Sequence, residues 1–134
     1  MDSYALLAYF EAESGSDRVM ELLKAAKDRR CHLYMCVVNL GEVMYIIERE
    51  RGLAEAQDIL TRIDELPIEI INADRIVTLA ATHLKNDCLI VYADCFAAAT
   101  AQLQGAILVT GDTEFNKIKA EYNVHIEWLA KQKE

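Results

Sequence analysis

The stretch Tyr92-Ala93-Asp94-Cys95-Phe96-Ala97-Ala98-Ala99-Thr100-Ala101-Gln102-Leu103-Gln104-Gly105-Ala106-Ile107-Leu108-Val109-Thr110-Gly111-Asp112 decides the fold class. Residues 92–104 are rich in small side chains that allow close helix packing, and Gly105 closes the helix because it alone enters the left-handed region without a steric cost. Residues 106–109 are continuously apolar, as in a strand covered on both faces. Thr110-Gly111 then turns the chain into an acid, Asp112.

The same alternation extends on both sides. Val19, Leu22, Leu23 and Ala26 mark one face of a helix over 17–27, with Ser16 placed to cap it. Residues 31–38 read as a strand leading into Asn39, the expected cap of a helix that runs to Arg51. After Gly52, Ala56, Ile59, Leu60 and Ile63 define another helix, which Pro67 ends, and 68–71 form a strand. Ile76, Leu79, Ala80 and His83 set the expected inner face of a helix over 74–85; a helix over 113–122 and a strand over 124–129 complete the chain. This order specifies an α/β fold, a mostly parallel sheet covered by helices.

Length and composition set the outer bounds. The 134 residues suit a single domain spanning 1–134, able to bury roughly 68% of the surface its unfolded chain exposes. Its longest apolar runs, 43–47 and 95–99, are far short of the roughly 20 residues that cross a bilayer, so no membrane role is expected, and an N-terminus without a basic segment points to the cytoplasm. Cys31, Cys36, Cys88 and Cys95 lack zinc-type pairing and read as buried reduced thiols. The net charge of −8 opposes nonspecific phosphate binding, unless acids gather around a cation. Arg29-Arg30 and Lys117 with Lys119 are the local basic pairs.

In parallel sheets the functional crevice lies at the carboxyl ends of the strands. Asp2, Glu42, Asp94 and Asp112 all fall at such places. If they converge to about 5 Å, each like-charge pair costs roughly 3 kcal/mol at an effective dielectric near 20, a repulsion that a cation relieves. Hard oxygen donors without a Cys or His cluster favour Mg2+ or Mn2+. Each acid also has a structural reading. Asn39 and Glu42 have capping-box spacing, Asp94 and Asp112 suit helix N-termini, and Asp2 is near the chain end.

Four blocks stand in order over nearly the whole chain: Asp2-Ser3-Tyr4-Ala5-Leu6-Leu7-Ala8, Asn39-Leu40-Gly41-Glu42-Val43, residues 92–101, and Leu108-Val109-Thr110-Gly111-Asp112-Thr113-Glu114-Phe115. They resemble the successive motifs of PIN domains, and among these the chain is most similar to VapC-type toxins of toxin–antitoxin pairs. The resemblance implies a three-layer α/β/α sandwich and a Mg2+- or Mn2+-dependent endoribonuclease acting on RNA. It implies Asp2, Glu42, Asp94 and Asp112 as catalytic metal-binding residues, with Asp112 a ligand or the organiser of a water, and Ser3, Asn39, Thr110 and Glu114 bordering the site. It also implies a small antitoxin partner that places an Arg or Lys among the acids, with a second copy of the chain as a further partner. The family carries an apolar strand ahead of its first Asp. Here only Met1 precedes Asp2, so that strand is expected to be absent or truncated and to leave a gap in the core.

Two other readings remain. A PIN-like scaffold that binds without cleaving is one. The other is a receiver-like phosphoacceptor domain, which needs an acidic pair after the first strand and a late lysine at a strand end; only scattered pieces of that set are present.

Overall fold

The computed structural model describes residues 1–129; the last five residues of the expected 1–134 span lie outside the described residues. Six helices and four short strands alternate. They are α1 (Ser3–Phe10), α2 (Ser16–Lys27), β1 (Leu33–Cys36), α3 (Val37–Arg51), α4 (Leu53–Glu65), β2 (Ile68–Ile71), α5 (Arg75–Asp87), α6 (Tyr92–Gln104), β3 (Leu108–Thr110) and β4 (Ile126–Trp128). Every strand pairing is parallel, as an alternating α/β chain requires. β1 lies beside β2 with Leu33 opposite Ile68, and β3 beside β4 with Leu108 opposite Ile126.

The two pairs are separate two-stranded sheets. Between them run the first two residues of the chain. The Met1 amino group donates to Tyr34 O on β1 at 3.1 Å, and the Asp2 N–H donates to Val109 O on β3 at 3.5 Å. Met1 and Asp2 thus bridge the two half-sheets, and a cavity of about 40 Å³ lined by Met1, Leu33, Tyr34, Ala97, Ile107 and Val109 lies beside them. Burial there holds the Met1 ammonium below its usual pKa.

Helices cover both faces. Cys36 and Leu108 pack with α5 and α6 around Val77, Ala81, Leu84, Phe96 and Ala98. Met35 packs with α1, α3 and α4 through Leu6, Val43, Ile47 and Ile59, while Leu33 and Val109 meet Ala5, Val19 and Leu23 of α1 and α2. The strands alternate their side chains between these layers, the period-2 behaviour of a pleated backbone.

Several local expectations need correction. On α5 the inner face is Val77, Ala81 and Leu84; Ile76, Leu79 and His83 face outward. Gly15, at φ 93°, precedes α2, so Ser16 is its first residue and not its cap. Residues 113–122 form two 3-10 turns, Thr113–Lys117 and Ala120–Tyr122, because Ile118 and Lys119 between them are extended. Cys31 is exposed, since β1 begins only at Leu33; Cys36, Cys88 and Cys95 are buried free thiols. No helix among the described residues is long and apolar enough to cross a membrane.

Candidate metal centre

Asp2 caps α1. Its Oδ1 accepts the Ala5 N–H at 3.0 Å, which satisfies one of the unpaired donors that every helix start leaves. Its Oδ2 accepts from Thr110 Oγ1 at 2.5 Å, and the Asp112 N–H donates to that same hydroxyl at 3.0 Å. One threonine at the end of β3 therefore ties the chain start to the loop that carries Asp112. That loop closes locally through the Glu114 N–H on Asp112 Oδ1 at 3.0 Å.

Glu42 reaches the same region from α3, and Ser3 Oγ donates to its Oε1 at 2.5 Å. Adjacent residues of one helix start, Asp2 and Ser3, thus make contact with β3 and α3 at once. Neither the capping of α3 by Asn39 nor the capping box holds. The helix begins at Val37 after Cys36, and Asn39 lies inside its first turn, fully buried. Asn39 Nδ2 donates instead to Ala93 O at 3.0 Å, linking α3 to the first turn of α6, where Asp94 stands. The Asn39 Oδ1 is buried without a partner among the described residues.

Asp94 connects these threads electrostatically. Only 6% exposed, it has its carboxyl pushed up to about 7, first by burial and then by the negative charges of Asp112, Asp2, Glu42 and Glu114. Asp2, 1% exposed, is pushed up to about 6 by burial, against the opposing hydrogen bonds from Thr110 and Ala5. The four acids expected from the sequence therefore occupy one field, joined by Glu114, with Ser3, Asn39 and Thr110 holding the elements that bear them. Among the described residues, no three His, Cys, Asp or Glu side chains stand close enough together to share a metal ion.

Sequence reading missed the packing of Tyr4 on Gly111. A Cβ at Gly111 would fall inside the Tyr4 ring, against Cε1, Cζ and Cδ1, so glycine is what lets the ring lie on the loop between Thr110 and Asp112. The signal was a glycine directly between two site residues. Three of the four basic residues singled out are in ion pairs: Lys117 with Glu114 at 2.5 Å, Lys119 with Asp87 at 2.6 Å and Arg30 with Asp28 at 3.5 Å.

A family model of the PIN domain matches residues 1–121. The chain belongs to the PIN domain family. No curated protein matches it in sequence. Among solved structures it is similar to VapBC2 from Rickettsia felis bound to a DNA fragment from its promoter, with a TM-score of 0.73, 20% identity, and coverage of 95% of this chain and 94% of the other. A toxin–antitoxin complex from Klebsiella pneumoniae gives 0.67 at 17% identity over 98% and 97% of the two chains. DNA-bound VapBC from Salmonella typhimurium gives 0.72 at 14% over 94% and 93%. At these identities the likeness is one of fold, and it establishes the PIN fold over the described chain.

The donor chemistry of this PIN domain suits a hard divalent cation. The acids supply oxygen only, the donor type such ions take. A zinc-type set is not what the site offers, since Cys36, Cys88 and Cys95 pack in the apolar layer under α5 and α6.

Proposed function

We propose that this chain is a Mg2+- or Mn2+-dependent endoribonuclease and the toxin of a toxin–antitoxin pair. The observation that carries the reading is the field at Asp94: burial, and then the carboxylates of Asp112, Asp2, Glu42 and Glu114 from the loop after β3, the start of α1 and α3, raise its pKa together. PIN membership and the toxin–antitoxin complexes among its structural relatives support it.

In this reading Asp2, Glu42 and Asp94 hold the cation. When bound, it neutralises charge on a scissile phosphate and makes a water acidic enough to attack at neutral pH. The protein's share is placement. Thr110 and the Ala5 amide fix the Asp2 carboxylate from two sides. Ser3 orients Glu42. Asp112 keeps Oδ1 on the Glu114 amide, leaving Oδ2 as the oxygen that takes a proton from the attacking water. Cleavage of total cellular RNA with Mg2+, Mn2+ or chelator tests the reading. Metal-dependent fragments support it, and intact RNA under all three conditions overturns it.

The antitoxin follows from the same charges. Acids that repel one another without metal attract a guanidinium, which pairs bidentately with carboxylate and displaces cation and RNA together. Purification from the native host should recover a small protein that inhibits cleavage; a bound protein without inhibition counts against the toxin assignment. A second reading, a PIN scaffold that binds without cutting, is favoured by one observation: the acids do not yet stand as a shared ligand set. Binding of Mn2+ by calorimetry separates the two, because a scaffold has no reason to bind it.

A further inference from the structure

Tyr4 follows the two residues that cap α1 and hold Glu42, yet its own side chain belongs to no apolar core and remains 38% exposed. Its ring is not loose. One edge lies on Gly111, where even a methyl group would collide with it, and Gly111 is flanked by Thr110, which bonds Asp2, and by Asp112. The result is an aromatic surface lying against the loop that carries Asp112 and partly open to solvent.

Charge gives that surface a use. The protein carries −8, and the lysines around the site are occupied: Lys117 by Glu114, Lys119 by Asp87, and Lys85 by Ile90 O at 2.7 Å. Phosphate contacts therefore contribute little to holding RNA here. Stacking of a base on an aromatic ring needs no positive charge and works for any base that is not already stacked in a duplex. Tyr4 also lines a groove with Glu11, Glu13 and Glu50, of which Glu11 is paired with Arg51 at 2.6 Å. A nucleotide seated on the ring lies beside Gly111 and so next to the loop that carries Asp112.

We propose that Tyr4 is the stacking platform for an unpaired RNA base next to the scissile phosphate. This rests on the ribonuclease reading. It adds that substrate is held by a ring placed against Gly111, and that Tyr4 acts on binding while the carboxylates act on chemistry.

The test uses a short RNA oligonucleotide spanning a cleavage position mapped in total RNA, with Mn2+ present. Tyr4→Ala should raise KM about 10-fold with kcat little changed, and Tyr4→Phe should retain the wild-type KM. Replacing the stacked base by an abasic residue should cost wild type the same factor and cost Tyr4→Ala nothing further. Tyr4→Leu, of similar bulk but not aromatic, should behave like Tyr4→Ala while keeping the wild-type Mn2+-induced rise in Tm, which separates stacking from folding. An abasic penalty equal in wild type and Tyr4→Ala at every position, or an unchanged KM for both Tyr4→Ala and Tyr4→Leu, overturns this inference and leaves the nuclease reading standing. RNA left uncut by wild type overturns both.

Discussion

The end of the sheet that carries the acids and the middle of the sheet are built to opposite standards. At the acidic end nearly every polar group is held: Asp2 by two donors, Asp112 by the Glu114 amide, Glu42 by Ser3. In the middle, Met1 and Asp2 bridge two parallel strand pairs, next to a cavity. The acidic end is geometrically ordered and crowded with like charge; the middle holds one buried ammonium, that of Met1, and is under-packed. Repulsion of the first kind is what a ligand can release, and a deficit of the second kind is what only more chain can fill.

The sharpest way to break the comparison is at Asp94. Asp94→Asn should lower metal-dependent RNA cleavage by more than about 100-fold, since loss of even an indirect metal support costs 10–100-fold. Because it removes one of several like charges, the same change should leave Tm in chelator equal or higher. A folded variant that cleaves normally would remove Asp94 from the site. Next is Thr110→Val, which keeps shape but takes the hydroxyl from Asp2 and Asp112. Cleavage should fall about 10-fold with a stability loss of about 1 kcal/mol, and Thr110→Ser should restore both. Equal activity in Thr110→Val would make the hydroxyl a purely structural tie.

The under-packed middle is probed by adding chain. About five apolar or β-branched residues placed ahead of Met1 should pair with β1 and β3 and raise Tm by on the order of 5–10 °C, while five polar residues should not. An identical Tm for both additions would mean that the two half-sheets do not accept a strand.

The smallest effect is in pH. Asp2 and Asp94 titrate near 6 and 7 when folded, above the ordinary 3.8. Carboxyls raised in this way contribute stability that is full below about pH 4 and is lost as pH rises through 6 and 7, because over that range the folded form still holds protons that the unfolded form has already released. In chelator, Tm should therefore fall by a few degrees between pH 5 and 8. Millimolar Mn2+ should remove most of that fall by binding the ionised form. A flat profile in chelator would show that the acids do not share a field.

The alternation of helices and strands was legible because buried stripes repeat along α2 and α4 at Val19, Leu23, Ala56, Ile59 and Ile63. On α5 two apolar stripes lie one residue apart, and periodicity alone does not rank Ile76 and Leu79 against Val77 and Ala81. The 3-10 turns were misread because Ile118 and Lys119 run extended between them, a break that apolar spacing does not mark. Asp112 does follow a strand, β3, as its position suggested, whereas α6, which carries Asp94, follows α5 with no strand between. The bonds that arrange them, Asn39 to Ala93 and Ser3 to Glu42, join residues 54 and 39 apart, and no local pattern encodes such pairings.

The link from Thr110 to Asp2 spans 108 residues, and it sets an order of assembly on the ribosome. At roughly 5–20 residues per second, the chain start waits roughly 5 to 20 s before its partner exists. Until then Asp2 has neither the hydroxyl that fixes it nor the loop that carries Asp112, so the nascent chain holds the acids apart. Under the nuclease reading proposed above, cleavage is withheld from the growing chain at least until Thr110 has been made.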